Sequence, residues 1–145
     1  MKPSLFNIRA WCKELPSSPG VMVTPRNLGE VGNLFRNLYA GEIITILRST
    51  SLLDAKGKEI FEGDIVRMLW SLSKSASSKR WRRIYRKHVI VFKPQFPGSY
   101  GPGVRFALHD CDNFWEPAQV TVVGNIYEHP KRRPRGYKIP ERTQL

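Results

Sequence analysis

Two runs of this chain hold residue types that could do chemistry. His109-Asp110-Cys111-Asp112 brings an imidazole, a thiol and two carboxylates together. Such groups ligate zinc or build a Cys/His nucleophile pair. A zinc site wants four ligands in recognisable pairs, and beyond this run only Cys12 and the distant His88 and His129 remain. A nucleophilic cysteine needs its base nearby in space, not next to it in sequence. Neighbours on a strand point to opposite faces, so His109 and Asp110 are not expected to converge. The run reads as a strand end entering an Asp-rich turn. The glycines between Gly98 and Gly103 lack the strand-to-helix context of a phosphate loop, and no paired-carboxylate signature is present. The expectation is no enzyme, no metal and no cofactor.

The second run is of a different kind. Lys79, Arg80, Arg82, Arg83, Arg86 and Lys87 interleave with Trp81 and Tyr85 and lead into His88. Guanidinium groups pair with phosphates in fork geometry, and exposed aromatics stack on unpaired bases. If the segment is a helix, Trp81, Tyr85 and His88 share a face. If it is one side of a hairpin arm, the charges line the arm. Lys131, Arg132, Arg133 and Arg135 form a second patch, whose Pro130 and Pro134 argue for an extended tail. The bland alternative is a solvated loop and tail, with Trp81 and Tyr85 packed onto the body of the protein.

The charge balance isolates these two segments. The 145 residues hold 24 Lys+Arg and 12 Asp+Glu, a net +12 with neutral histidines. Between Asp64 and Asp110 there are ten basic residues and no acidic one, and from Lys131 onward there are six basic residues against Glu141. Together they carry +15, and the remainder carries −3. A surface this basic attracts anionic polymers. Hydrophobic residues at 41% supply a core and exclude wholesale disorder. No apolar run approaches the ~20 residues that span a bilayer, and residues 1–11 lack a signal-peptide stretch. We expect a cytoplasmic protein with Cys12 and Cys111 reduced.

Short strands and turns must position these groups. Residues 5–11 alternate as a strand. Thr24-Pro25 resembles a helix start, Leu28, Val31, Phe35 and Leu38 follow at helical spacing, and Gly41 is a stop. Residues 42–48 predict a strand, Asp54-Ala55-Lys56-Gly57-Lys58 a tight turn, and residues 59–68 a strand broken by a bend at Gly63-Asp64. Further strands are predicted over 88–92, 104–109 and 120–127, and the serine-rich stretch inside 69–87 predicts a flexible insertion. Many short strands with turns between them indicate a small barrel or strongly bent sheet.

The central stretch Ser49-Thr50-Ser51-Leu52-Leu53-Asp54-Ala55-Lys56-Gly57-Lys58-Glu59-Ile60-Phe61-Glu62-Gly63-Asp64-Ile65-Val66 closely resembles the signature of the YopX family. That signature runs threonine, glycine, leucine, an Asp–Gly turn, then Lys-Glu-Ile-aromatic-Glu-Gly-Asp-Ile-Val. Phe6-Asn7-Ile8-Arg9-Ala10-Trp11 is similar to the family's opening and residues 122–130 to its closing strand. Ser51 departs from the pattern by standing where the family usually has glycine. The resemblance implies a phage or prophage protein, mainly β. It implies an SH3-like barrel over 49–130 and a smaller β/α subdomain over 1–48; the basic insertion at 69–87 and the basic tail over 131–145 read as this chain's own additions to that scaffold. It names no activity.

From the residues themselves, Gly57 permits the turn, Ile60, Ile65 and Val66 fill a core, and Asp64 bonds nearby backbone amides. The functional expectation is an accessory protein that binds DNA or RNA non-specifically through the phosphate backbone, using the residues of the two basic runs. The alternative is an interaction module for an acidic host or phage protein. No helix-turn-helix or zinc-finger pattern supports base-specific readout.

Overall fold

The computed structural model describes residues 6–74, 76–77, 79–92, 106–110 and 115–139. The strands are β1 (Ile8–Lys13), β2 (Val21–Val23), β3 (Ile43–Leu53), β4 (Glu59–Phe61), β5 (Asp64–Lys74), β6 (Trp81–Phe92), β7 (Phe106–Leu108) and β8 (Val120–Asn125), with one α-helix, α1 (Leu28–Tyr39), between β2 and β3. They form two antiparallel sheets, ordered β2-β1-β3-β4 and β7-β6-β5-β8. The protein is mainly β.

Helix α1 starts later than Thr24-Pro25 predicts. Val21–Val23 is instead recruited as β2 against β1. Asn27 is extended, and its side-chain oxygen accepts from the Glu30 amide at 2.9 Å. Glu30 in turn accepts from the Arg26 amide at 2.6 Å, a reciprocal cap. Leu34 alone of the helix is buried, and Leu28, Phe35 and Leu38 are exposed, so the predicted apolar stripe is only partly used.

The Asp54 turn forms as expected and does more than reverse the chain. One carboxylate oxygen accepts from the Lys56 and Lys58 amides at 2.9 and 2.8 Å. The other reaches across to the Val122 amide on β8 at 2.9 Å. The Ala55 amide also donates to Val120 O. Gly57 sits at φ +79° and Gly63 at φ +83°, conformations that favour glycine. At the Gly63 bend the chain passes from β4 in the first sheet to β5 in the second. The Gly63 amide bonds Ile90 O, and its carbonyl accepts from the Ile126 amide, so the bend is stitched to β6 and to the end of β8.

The second sheet is buried on both faces near this bend. Ile65 and Val89 point to one side, where they meet Ile126, Tyr127, Tyr137 and Ile139. Val66 and Ile90 point to the other, with Ile60, Leu108, Trp115 and Val120. Alternation along β5 and β6 thus feeds two small cores from adjacent residues. Tyr137 and Ile139 belong to the segment expected to trail away as an extended tail, and they instead cover one of these cores.

Asp64, fully buried, accepts from Arg9, from the Phe61 amide at 2.9 Å and from Asn125 Nδ2 at 3.1 Å. Arg9 lies on β1, so this carboxylate ties the two sheets together. Burial raises its pKa above the ordinary aspartate value, with Arg9, the Phe61 amide, Asn125 and Lys58 pulling the other way.

Candidate nucleic-acid interface

The expected flexible insertion is mostly strand. Beyond Met68, β5 runs to Lys74, and β6 begins at Trp81, so residues 69–74 and 81–87 form the outer part of a two-stranded arm. The helical alternative for the basic run does not form. Register explains why: Val66 pairs with His88 and Ile65 with Val89 in the core, and continuing the ladder outward keeps both strands extended. Beyond Trp70, a one-residue bulge in β5, the pairing resumes at Ser71 with Ile84 and reaches Lys74 with Trp81. Bulges strengthen the local twist and re-aim a side chain.

Every side chain of β6 from Trp81 to Lys87 is exposed. Trp81 is 66% accessible and Tyr85 44%, and Trp70, 50% accessible, meets the buried His88 with ring centres 6.4 Å apart. All three rings also lie against cations. The Arg86 guanidinium lies 3.9 Å from the Trp70 ring centre, Arg67 lies 4.6 Å from Tyr85, and the Lys74 ammonium lies 5.9 Å from Trp81. Arg67 and Lys87 stand directly opposite each other across the strands, an arrangement that costs stability. Among the described residues, Arg9, Arg26 and Arg48 form salt bridges with carboxylates, and no such bridge is found for an arginine or lysine of the arm.

The second basic patch folds back onto the arm's base. Pro130–Arg132 makes a 3-10 turn directly after β8. Arg132 Nη1 donates to Val123 O at 2.8 Å, and Lys87 Nζ reaches Arg132 O at 3.4 Å. The two basic runs, far apart in sequence, therefore meet. Lys131, Arg133 and Arg135 remain exposed. A groove lined by Pro130, Lys131, Arg133, Arg135, Tyr137 and Lys138 opens beside them. All twelve residues expected to bind nucleic acid are described and solvent-facing, with Lys79 and Arg80 just ahead of β6.

Arg67 and Lys74, on the face of Trp81 and Tyr85, and Trp70, on the opposite face of the arm, were not anticipated. Their signal was the unbroken strand-compatible run after Met68. It was masked because an arm wet on both faces shows no apolar–polar alternation.

At the arm's base lies the other candidate cluster. His109 and Asp110 follow β7 in a turn, where strand alternation does not apply, and both lean toward β6. His88 Nδ1 is 2.6 Å from Asp110 Oδ1, and the Val89 amide donates to His109 Nδ1 at 2.9 Å. The expectation that His109 and Asp110 point apart is thereby corrected. His88 is fully buried, and its Nε2 meets no hydrogen-bond partner among the described residues. Burial opposes the Asp110 charge, but the His88 hydrogen bond and the nearby His88 and His109 charges outweigh it and hold its pKa below the ordinary value. His88, His109 and Asp110 offer ligand-type atoms within 4.8 Å of one another. The arrangement acts as a clamp that pins the β7 turn to the root of the arm. Cys111, Asp112 and the 98–103 glycines lie outside the described residues.

The model of the family described as YopX protein matches residues 24–132. The chain belongs to the YopX protein family. The matched span runs from before α1 through the arm and the closing strand to the 3-10 turn. No curated protein matches this YopX-family chain. It is similar to the crystal structure of protein EF1440 from Enterococcus faecalis, at 22% identity and a TM-score of 0.40, over 86% of this chain and 95% of that one. Among the described residues, no helix is long and apolar enough to cross a membrane.

Proposed function

We propose that this YopX-family protein is a phage- or prophage-encoded accessory protein that binds nucleic acid without base specificity, gripping the phosphate backbone between the β5–β6 arm and the 131–135 segment. The observation that carries the reading is the meeting of the two basic runs where Lys87 bonds the Arg132 carbonyl. Along the arm no acidic residue neutralises Arg67, Lys74, Arg82, Arg83, Arg86 or Lys87. A fold that leaves so many like charges on one ladder spends stability on a surface that an anionic polymer would relieve.

In this reading residues 49–130 form an SH3-like barrel, and residues 1–48 a smaller β/α subdomain. The protein works in the cytoplasm of a bacterial host and catalyses no reaction. The test is retention on single- and double-stranded DNA and RNA at about 50 mM salt, followed by a salt titration. Binding with a steep negative slope of log affinity against log salt is expected, and no retention on any of them refutes the reading.

A second reading has its own support. Leu69, Leu72 and Ile84 are exposed on the same arm, and apolar patches of that kind mark protein interfaces. An acidic host or phage protein would then take the nucleic acid's place. A pull-down with nuclease-treated lysate separates the two, since only a protein partner survives the nuclease.

A further inference from the structure

We infer that the arm's ligand is single-stranded nucleic acid, held by base stacking on Trp81 and Tyr85 and, on the opposite face, on Trp70. The inference rests on the proposed nucleic-acid reading and adds the strandedness of the ligand. Trp81 and Tyr85 point to the same side of β6, since alternate residues share a face. Tyr85 stands opposite Leu69, and Trp81 opposite Lys74. Four residues of strand put the two rings roughly 13 Å apart. Stacked bases follow one another at about 3.4 Å. Two rings at this separation cannot sandwich neighbouring bases of a regular helix, whereas a strand drawn out along the arm can lay one base on each.

The cations are already arranged for such a ligand. Arg67 lies on Tyr85, Lys74 beside Trp81 and Arg86 on Trp70. A ring that keeps two-thirds or half of its surface open with a cation at one side presents the remainder to a base. The cation then sits where the adjoining phosphate passes. A duplex hides its base faces, and reaching them costs a few kcal/mol per unstacked step. A single strand offers them without that cost. Stacking is tolerant of sequence because every base has a π-face, which agrees with the absence of any base-reading motif.

The experiment compares oligo(dT), oligo(rU) and a duplex, each of about 20 units in length, with wild type and the Trp81→Ala/Tyr85→Ala variant. Thermal melts verify folding, and Trp81→Phe/Tyr85→Phe serves as the conservative control. For wild type we expect at least one single strand to bind about tenfold or more tightly than the duplex. The alanine variant should lose about 10- to 100-fold on single strands, with little change on the duplex and an unaltered salt slope, because the phosphate contacts remain. The phenylalanine variant should keep most of the affinity.

Equal or tighter binding of the duplex overturns the stacking inference and leaves phosphate binding intact. So does single-strand binding that survives the alanine changes. Retention of none of the three ligands refutes the phosphate-binding reading itself, and the inference with it.

Discussion

Ser51 occupies a left-handed backbone conformation, φ +60°, at the place where the family pattern has glycine. The strand β3 is irregular there: its pairing with β4 shifts between Ser49 and Leu53, and the Ser51 amide is satisfied by Ser49 Oγ at 2.9 Å. A side chain in that region costs about 1 kcal/mol, and glycine relieves it at some loss of unfolded-state restraint. Ser51→Gly should therefore raise stability by roughly 0.5 kcal/mol in a denaturant titration, while Ser51→Val should lower it. Asp110 yields a prediction in pH. Its folded-state pKa lies below the ordinary value, so its contribution is present at neutral pH and disappears as pH falls through that lowered pKa. Asp110→Asn should lower the melting temperature at pH 7 and close that gap to wild type in acid, below about pH 4. An equal offset at all pH values would show that the carboxylate's charge is not what His88 holds. The pairing of Asp110 with His88 was not readable from the chain. Alternation describes strands, and Asp110 is in a turn whose direction depends on where β7 docks on β6.

At the scale of elements, β5 and β6 each do two jobs. Their inner residues build both cores and their outer residues form the arm, so substitutions in the two halves should behave oppositely. Ile65, fully buried, should cost about 2–4 kcal/mol when changed to alanine, read as a shift in the unfolding midpoint. Arg80→Ala, Arg82→Ala, Arg83→Ala and Arg86→Ala combined should leave stability nearly untouched, or raise it slightly by removing like-charge repulsion. The same variant should weaken polyanion binding and flatten the salt slope by about 3. The inner half was legible in the sequence because Ile65, Val66, Val89 and Ile90 are apolar residues next to turn signals. The outer half was not, because serines, arginines and aromatics in an exposed ladder have no periodic contrast. Only pairing with the opposite strand makes them β.

For the whole molecule, the surplus of positive charge is concentrated by folding. The 3-10 turn after β8 brings Lys131, Arg133 and Arg135 beside the arm's root, while Tyr137 and Ile139 cover the core around Ile65 and Val89. Removing the segment would therefore uncover apolar surface as well as charge, and truncation is a poor probe of binding. Lys131→Ala, Arg133→Ala and Arg135→Ala together, with Arg132 kept because it caps the Val123 carbonyl, should preserve the fold. If the two patches form one surface, this variant combined with the arm variant should lose more of the salt slope than either alone, measured on the same oligonucleotide. An unchanged slope in the segment variant would confine binding to the arm.

What the sequence determined by itself was local or additive. The Asp54 turn and the Gly63 bend follow from the conformations that single residues permit. The buried positions follow from apolar residues beside those turns. The family is carried by one long contiguous motif and two shorter pieces in the same order, and the location of the charge excess is a count along the chain. The tertiary structure decided whatever depends on pairing between distant segments. It made the basic run a strand rather than a helix and turned His109 and Asp110 toward His88. It also folded the second basic run back onto the first. Each of these is fixed by a β-ladder or core contact between distant residues, and such contacts form only when the whole sheet closes.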